Sequence, residues 1–246
     1  MLSPAHWGWG WDDPLRTSSF AKAPADQSTL QHVICNTQFM RAIGECRLYG
    51  IIDLGYVEVS DVTRVAEQMI EGSVDLIQLR GKEKSVDELA GFAARLHEIT
   101  ARSLTPLIVN DHAEIAREIP AEGVHVGQED DSIELARRKA HRQVLVGKST
   151  HSIEQALAAQ REGADYIGFG PIFATPTKPD YAPIGLADIS RVHAEVSIPI
   201  FCIGGINIDN LQSVIDAGAK RVVMVSALIK AHSIVDYARC ATDMLA

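Results

Sequence analysis

Short apolar runs alternate with amphipathic stretches of helical period along the chain from Cys46 onward. The apolar runs predict eight strands, at residues 47–53, 75–80, 106–111, 123–127, 144–149, 166–171, 200–204 and 221–226. The amphipathic stretches predict helices between them, at residues 61–71, 85–101, 114–119, 132–140, 153–162, 186–196, 208–217 and 233–245. Strands that alternate regularly with helices predict a parallel sheet of the α/β class.

Local signals at the predicted helix ends agree with this periodicity. Ser85 and Glu88 form a capping-box pattern, and Ser132 precedes a helical run rich in apolar residues. Gly163 and Gly218 follow predicted helices, where glycine adopts the left-handed cap at least cost. The boundaries of four helices therefore have a physical basis beyond periodicity.

Closure of the eight strands into a single (β/α)8 barrel is the architecture that this count favours, over residues 45–246. An open doubly wound sheet is the alternative. No G-x-G-x-x-G sequence follows the first strand, so the sequence gives the open sheet no support.

Residues 1–44 lack apolar periodicity and differ from the rest of the chain. Trp7, Trp9 and Trp11 lie in a tract that alternates with glycine, and an Asp-Asp-Pro sequence follows. A basic start and an apolar core, which a secretory signal needs, are both missing. We interpret this segment as a disordered or non-native leader, with Met40 as a candidate working start; a partner-binding arm is the alternative.

The composition restricts the class of partner. A formal net charge of -9 argues against nucleic acid or an anionic membrane, so a phosphate ligand needs local cations. Four widely spaced cysteines without a C-x-x-C pair indicate reduced thiols rather than a disulfide framework or a zinc site. Since no apolar run is long enough to span a bilayer, we predict a soluble cytoplasmic protein, and the sequence leaves a homo-oligomer open.

Polar residues follow the predicted second strand, and in a barrel such carboxyl ends form the active site. Gln78 and Arg80 point to the same side of this strand, and Lys82 comes just after it. Inward-facing polar side chains are costly unless they meet a ligand, although Arg80 could instead pair with an internal carboxylate.

Two acidic residues follow the third and fourth strands. Asn110 and Asp111 end one strand, and Asp130 follows the other within Gly-Gln-Glu-Asp. Carboxylate and amide oxygens on neighbouring strand ends suit Mg²⁺. Either aspartate alone would more often cap a helix, but beside a cluster of Arg and Lys the pair predicts a metal site.

Hydroxyl groups and small residues follow the remaining strands. The fifth strand ends in Ser149-Thr150-His151; without a G-x-S-x-G elbow, Ser149 is predicted to bind phosphate rather than to perform acyl transfer, and His151 to cap or pack at the next helix. The sixth runs into a loop rich in Gly, Pro and Thr that ends at a lysine. After the seventh and eighth strands, glycines and small residues predict exposed N–H groups for a phosphate, although a glycine there can also serve close packing. These loops contain Thr175, Thr177, Lys178, Gly205, Val225 and Ser226.

The order of these segments resembles the thiamine-phosphate synthase family over about residues 46–246. The resemblance is carried by Q-L-R-G-K, V-N-D, G-V-H-V-G-Q-E-D, S-T-H, G-F-G-P-I-F-A-T-P-T-K, I-G-G-I and V-S-A. It implies a (β/α)8 barrel that joins hydroxymethylpyrimidine diphosphate to hydroxyethylthiazole phosphate, giving thiamine phosphate and diphosphate with Mg²⁺ as cofactor.

The resemblance also implies a role for each site residue. Gln78, Arg80, Lys82 and Asn110 would hold the pyrimidine diphosphate, Asp111 and Asp130 the Mg²⁺, and Ser149 and Lys178 the diphosphate. Thr175 and Thr177 would line the thiazole phosphate site, with its phosphate on the amides of Gly205, Val225 and Ser226. We assign the catalytic roles to Ser149, Lys178, Arg80 and Lys82.

Two alternatives remain beside this assignment. Lys148 stands where the family usually has a small apolar residue, and alternation alone does not decide whether its side chain adds charge at the diphosphate or points outward. Lys-Ser-Thr-His also suits a thiazole tautomerase of the same barrel with His151 as its acid–base residue. The complete set of carboxylates and lysines favours the synthase. It also argues against a non-catalytic binder of thiamine phosphate, which should have lost at least one of them.

Overall fold

The structure is a computed structural model that describes residues 41–140, 143–175 and 182–246. Eight parallel strands pair in sequence order into a closed barrel, as predicted. The strands are β1 (Leu48–Asp53), β2 (Leu76–Arg80), β3 (Leu107–Asn110), β4 (Gly123–Val126), β5 (Leu145–Thr150), β6 (Tyr166–Phe169), β7 (Ile200–Cys202) and β8 (Val222–Met224).

Helices follow the strands and surround the barrel. They are α1 (Val62–Glu71), α2 (Val86–Ser103), α3 (Ala113–Glu118), α4 (Ile133–Ala140), α5 (Ile153–Arg161), α6 (Ile189–Glu195), α7 (Ile208–Asp216), α8 (Ser226–Ile229) and α9 (Ile234–Leu245), with a 3-10 helix at Val59–Asp61 before α1. Among the described residues, no helix has the length and apolar character needed to cross a membrane.

The predicted helix caps at Ser85 and Ser132 are present. The Ser85 side chain accepts a hydrogen bond from the Glu88 amide while the Glu88 carboxylate accepts one from the Ser85 amide, which completes the capping box. The Leu135 amide donates to Ser132 Oγ at 3.2 Å. These contacts fix the starts of α2 and α4 after the second and fourth strands.

Three strands end two residues earlier than predicted, because their last predicted residues form the loops of the cavity. β6 was predicted to residue 171 and ends at Phe169, and β7 was predicted to residue 204 and ends at Cys202. β8 ends at Met224, and Ser226, predicted as its last residue, instead begins the short helix α8. Apolar runs at these ends look continuous in sequence, so periodicity alone does not show where the ladder stops.

The core has two layers because side chains alternate along each strand. One layer lies between the strands and the helices. The other fills the barrel, and we call it the interior cluster: Cys46, Tyr49, Ile51, Leu76, Ile108, Tyr166, Phe201 and Val223. The rings of Tyr49, Tyr166 and Phe201 meet edge to face, with centroids 5.4 to 6.1 Å apart. This aromatic layer gives the cavity above it a rigid floor.

The amino ends of the strands are covered by the residues that precede β1. Ile43 packs against the interior cluster, and Arg41 forms an ion pair with the buried Asp75. The Asp75 carboxylate also accepts hydrogen bonds from the amides of Arg47 and Leu48. Within the described residues, these contacts tie the segment before β1 to the amino ends of the strands, opposite the cavity.

Candidate active site

A cavity of about 410 Å³ opens at the carboxyl ends of the strands. This volume lies within the usual range for small-molecule sites. The first four strands contribute side chains of the strands themselves, among them Ile51 and His125. The loops after the last four strands complete the wall. Several predicted site residues line it: Gln78, Arg80, Asn110, Ser149, Thr175, Gly205, Val225 and Ser226.

Arg80, at the end of β2, is held by a carboxylate that the sequence analysis missed. Asp53 ends β1 and is the register partner of Arg80, and its Oδ2 accepts a hydrogen bond from Arg80 Nη1. The other oxygen, Oδ1, accepts from the Gly55 amide at 2.9 Å. Since both side chains are largely buried, the pair fixes the guanidinium at the cavity wall. The alternative of an internal pairing for Arg80 is thus correct, and it is compatible with a ligand role.

Lys82 and Asp111 connect the loops after β2 and β3. Lys82 Nζ lies 3.7 Å from Asp111 Oδ2, and the lysine side chain is half exposed. Asp111 has a φ of 63°, a left-handed conformation that costs energy for a residue other than glycine. The Asp111 amide donates to the His125 carbonyl at 2.8 Å, which anchors this turn to β4.

The two predicted metal ligands, Asp111 and Asp130, lie against each other. Burial and a hydrogen bond with the Asp130 side chain raise the pKa of Asp111 to about 6. Asp130 Oδ2 accepts a hydrogen bond from the Gly127 amide at 2.7 Å, so the loop after β4 holds its carboxylate. A carboxylate pair of this kind favours either a shared proton or a bound cation.

The carboxylates of Asp111 and Asp130 fit a Mg²⁺ ion that takes its remaining ligands from water and phosphate. Among residues 41–140, 143–175 and 182–246, no three or more His, Cys, Asp or Glu side chains cluster as a complete metal cage. Mg²⁺ usually binds one or two carboxylates and takes its other ligands from water and substrate phosphates. Asp111 and Asp130 therefore suit an ion that arrives with an anionic phosphate group rather than a permanently caged metal.

A continuous hydrogen-bonded chain, which we call the interior relay, crosses the barrel below the cavity. Gln78 Nε2 donates to Tyr49 Oη at 2.6 Å, and Tyr49 Oη lies 3.2 Å from Tyr166 Oη. Tyr166 Oη lies 3.2 Å from His125 Nδ1, and His125 Nε2 lies 3.0 Å from Ser149 Oγ. The relay joins two predicted substrate-binding residues, Gln78 and Ser149, through side chains that the sequence analysis did not select.

Two glycines after β7 bring the backbone close to the loop after β6. Gly204 and Gly205 have φ values of 101° and 65°, which only glycine adopts cheaply. A Cβ on Gly205 would come within 2.7 Å of the Ala174 carbonyl oxygen, and one on Gly204 within 2.4 Å of Pro171 Cβ. The Phe173 amide donates to the Gly204 carbonyl at 2.9 Å, so the two loops form one wall of the cavity.

Three residues in the turns after β7 and β8 line the cavity and carry backbone N–H groups: Gly205, Val225 and Ser226. Within the described residues, neither the Gly205 nor the Val225 amide donates a hydrogen bond to another backbone group. Ser226 begins α8, and the first amides of a helix have no acceptor within it. The Val225 carbonyl accepts from Leu228 and Ile229, which holds this turn in place. Such amides are suited to an anionic oxygen.

Other residues near the cavity correct or extend the sequence-based picture. Lys148 is buried on the outward face of β5, shared with Val146, and does not line the cavity, which settles the direction of this side chain. The Nδ1–H group of His151 donates to the Gly170 carbonyl. Lys230, after α8, lines the cavity and lies over the Tyr56 ring at 4.5 Å. Only its place after the last barrel strand could have drawn attention to it.

Two predicted site residues, Thr177 and Lys178, lie outside the described residues. Thr175, the last described residue before them, is half-buried and lines the cavity. Most of the leader predicted at residues 1–44 also lies outside the described residues.

Comparison with known proteins identifies a family. A family model described as thiamine monophosphate synthase matches residues 48–228. The thiamine-phosphate synthase of Chloroflexus aurantiacus is 43% identical over 198 residues, which cover 80% of this chain and 91% of the relative. That of Halalkalibacterium halodurans is 41% identical over 189 residues, covering 76% of this chain and 90% of the relative.

A solved structure supports the same relationship. The thiamine phosphate pyrophosphorylase from Pyrococcus furiosus is similar with a TM-score of 0.75 and 30% identity, over 82% of this chain and 96% of that one. The match covers the barrel, so the likeness extends to both sequence and architecture.

Proposed function

The chain belongs to the thiamine monophosphate synthase family, and from this premise we propose that its cavity joins hydroxymethylpyrimidine diphosphate to hydroxyethylthiazole phosphate with the aid of Mg²⁺. The activity is that of a thiamine-phosphate synthase, which is a transferase. The observation that carries the finer proposal is the arrangement of Arg80, Lys82, Asp111 and Asp130 on neighbouring loops at one rim.

The reaction needs charge neutralisation more than a strong nucleophile. Diphosphate leaves from a methylene group attached to an electron-rich aminopyrimidine, and the ring itself stabilises the developing cation. The protein must bind the departing anion, exclude water and hold the thiazole nitrogen in line behind the methylene group. This requirement matches a cavity with cations at its rim and an apolar floor.

Arg80 supplies positive charge from the end of β2, and Lys82 from the loop after it. Asp53 holds the Arg80 guanidinium in one place, so Arg80 can meet the diphosphate without first being ordered. Lys82 lies beside Asp111 and is exposed enough to turn toward a ligand. Ser149 contributes a hydroxyl group from β5, and Lys178 is proposed to add a further cation from the loop after β6.

Asp111 and Asp130 are proposed to hold Mg²⁺ through their carboxylates. When bound, the ion would supply a further positive charge to the diphosphate oxygens. A proton held by Asp111 would compete with the ion for the same oxygens, so these carboxylates would hold Mg²⁺ in their ionised form. The support is the contact between the two carboxylates and the position of Lys82 beside them.

The thiazole phosphate is assigned to the opposite side of the cavity. Gly205, Val225 and Ser226 line the cavity there, and within the described residues neither the Gly205 nor the Val225 amide donates to another backbone group. Thr175 lines the cavity from the loop after β6. On this proposal the two phosphate groups would bind at different sides of the cavity, with the reacting atoms between them. Gln78 and Asn110 line the cavity on the side of β2 and β3, where the pyrimidine would lie.

Thiazole tautomerase was the second candidate, and the comparisons do not favour it. The relatives named above are synthases, and a tautomerase would need neither the carboxylate pair nor a diphosphate site. His151, its proposed acid–base residue, already donates through Nδ1 to the Gly170 carbonyl. The proposed function therefore stays with the synthase.

A turnover assay with both substrates tests the proposal directly. Purified protein is incubated with the pyrimidine diphosphate and the thiazole phosphate, with Mg²⁺ or with a chelator, and thiamine phosphate is measured by conversion to fluorescent thiochrome. We expect product with Mg²⁺ and loss of product with the chelator. Equal product under both conditions would remove the metal role, and no product with Mg²⁺ would contradict the synthase assignment.

A further inference from the structure

The interior relay has a direction that its end groups impose. Gln78 contributes its amide nitrogen, which can only donate, so the Tyr49 oxygen accepts this hydrogen bond. The single Tyr49 hydroxyl hydrogen is then available for the next oxygen in the chain, that of Tyr166. The amide of Gln78 thus sets the first two hydrogen bonds in one sense.

The same sense continues to Ser149. Tyr166 accepts from Tyr49 and has one hydrogen left, which it donates to His125 Nδ1. In a neutral imidazole one nitrogen accepts and the other carries the hydrogen. His125 accepts at Nδ1, so its hydrogen is on Nε2, which donates to Ser149 Oγ. Ser149 is left with its own hydroxyl hydrogen free to point into the cavity.

The two phenols remain neutral and fixed, which the direction of the relay requires. Tyr49 and Tyr166 are buried in the barrel, and burial raises the pKa of each hydroxyl above its ordinary value. Their rings pack edge to face against each other and against Phe201. Neither hydroxyl can swing away from its partners without moving the aromatic layer.

Gly147 shows that the barrel makes room for the Tyr166 ring in this place. A Cβ on Gly147 would lie 2.1 Å from Tyr166 Cζ, so any larger residue at position 147 would displace the tyrosine ring. Gly147 is also the register partner of Tyr166 in the β5–β6 ladder. Glycine at position 147 therefore leaves the space that the Tyr166 ring occupies while its hydroxyl contacts His125.

We propose that Tyr166 is a positioning residue that keeps His125 in its neutral form with hydrogen on Nε2, so that Ser149 presents its hydroxyl hydrogen to an anionic oxygen of the substrate. This inference rests on the proposed function for the identity of that substrate. No covalent step is involved: the relay orders hydrogen bonds and places a donor.

The direction matters for a reaction in which a negatively charged diphosphate leaves. A donating Ser149 adds a hydrogen bond to a departing oxygen, whereas an accepting Ser149 would repel it. This effect follows from the hydrogen bond between Tyr166 and His125, because that bond leaves the histidine hydrogen on Nε2.

Nitrogen-15 NMR of the full chain, labelled at histidine, tests the tautomer directly. Spectra are recorded without substrates at about pH 8, above the ordinary histidine pKa. The resonances of His125 are assigned by their absence in His125→Gln, since the chain contains nine histidines. We expect hydrogen on Nε2 in the unmodified protein. Hydrogen on Nδ1 would overturn the proposal at once, with no variant needed.

Two matched variants test the role of Tyr166. Tyr166→Phe and Tyr49→Phe each remove one buried phenol hydroxyl from the same aromatic layer. We expect Tyr166→Phe to give a mixture of the two His125 tautomers. Tyr49→Phe removes the group that orients the Tyr166 hydroxyl, so we expect a smaller fraction of hydrogen on Nδ1 there, because Tyr166 can still donate. Equal His125 spectra in both variants would contradict a specific role for Tyr166.

Kinetics supply a second readout. We expect Tyr166→Phe to lower kcat by about tenfold, the scale of one hydrogen bond to a charged group, with an unchanged KM for the thiazole phosphate. Tyr49→Phe should lower kcat less. Equal losses would indicate a merely structural effect and would overturn the proposal. If the unmodified protein shows the expected tautomer but makes no thiamine phosphate, the proposed function fails while the relay stands.

Discussion

Asp53 and Arg80 face each other as register partners at the ends of β1 and β2, and the aspartate carboxylate binds the arginine guanidinium. The relationship explains how an arginine can line a cavity of an acidic protein without a ligand present. Arg80 lines the cavity and Asp53 does not, so the counter-charge lies outside the cavity wall. The pair therefore orders Arg80 before the diphosphate arrives.

Asp53→Asn is expected to lower both stability and turnover. The change leaves the Arg80 charge partly buried without its counter-charge, and breaking a buried pair typically costs about 3–5 kcal/mol. We expect about 2 kcal/mol, because Arg80 borders the open cavity. Urea unfolding measures the loss of free energy. Inorganic diphosphate should still bind, since positive charge remains, while kcat falls because the guanidinium is no longer held.

The control for this variant is Asp61→Asn. Asp61 pairs with Arg64 on the surface, where both side chains are largely exposed. Its loss should change the free energy of unfolding by less than about 0.5 kcal/mol. Equal losses in the free energy of unfolding would mean that the Asp53–Arg80 pair stabilises the protein no more than a surface ion pair does.

Mg²⁺ should stabilise the protein more at neutral than at acidic pH. The pKa of Asp111 is raised to about 6 by burial and by Asp130, so the folded protein keeps a proton that the unfolded chain has lost. The proton on Asp111 contributes fully to stability only when the pH is below the pKa that this carboxyl has in the unfolded chain. The contribution is lost as the pH rises to about 6, the pKa in the folded protein. Mg²⁺ binding requires the ionised form and therefore compensates above that pH.

Thermal unfolding with and without Mg²⁺ checks this dependence. We expect a clear rise in Tm at about pH 7.5, a much smaller rise at about pH 5, and none at either pH in Asp111→Asn. An increase in Tm that is the same at both values of pH, or that persists in Asp111→Asn, would place the ion elsewhere.

The larger part of the architecture follows from the sequence because strands and helices differ in period. All eight strands and the eight predicted helices occur in order, and the barrel closes as the count predicts. Alternation also predicted which side of β2 carries Gln78 and Arg80. It left Lys148 undecided, and the pairing of β5 with its neighbours settled it.

The remaining features depend on contacts between distant segments. Asp53 is an ordinary strand-end aspartate in sequence, and only the register of β1 with β2 brings it to Arg80. Tyr49, Tyr166 and His125 look like core residues until their polar atoms meet inside the barrel. The early end of β8 and the helix α8 were missed because Val-Ser-Ala-Leu continues an apolar run.

Lys178→Ala is expected to slow turnover by about 10² or more, the scale for loss of one electrostatic group that acts in the transition state. The measurement is kcat with both substrates at saturation. Lys220→Ala is the control, since Lys220 is exposed and lies before β8, at the opposite end of the barrel from the cavity. Near-normal turnover in Lys178→Ala would remove Lys178 from the mechanism.

Gly205→Ala should raise the KM for the thiazole phosphate. The added methyl group meets the Ala174 carbonyl oxygen at 2.7 Å, and the φ of 65° is strained for alanine. The wall that carries the amides must then shift away from the phosphate. Steady-state kinetics with the thiazole phosphate varied should show a rise of about tenfold or more, with a smaller change for the pyrimidine diphosphate.

Gly91→Ala is the matched glycine control. Gly91 lies within α2, where an added Cβ would meet no atom within 4 Å. We expect a stabilisation of up to about 1 kcal/mol and unchanged kinetics, because alanine favours the helix more than glycine does. A similar change of KM in both variants would contradict this prediction, because the effect would then not come from the backbone conformation of Gly205.

A crystal structure with Mg²⁺, diphosphate and thiamine phosphate tests the central claim most directly, since that claim concerns where the leaving group is neutralised. We predict diphosphate at the carboxyl ends of β2 to β5, in contact with Arg80 and Lys82, with the ion between its oxygens and the carboxylates of Asp111 and Asp130. Diphosphate bound away from Arg80, or an ion that touches neither aspartate, would contradict the account.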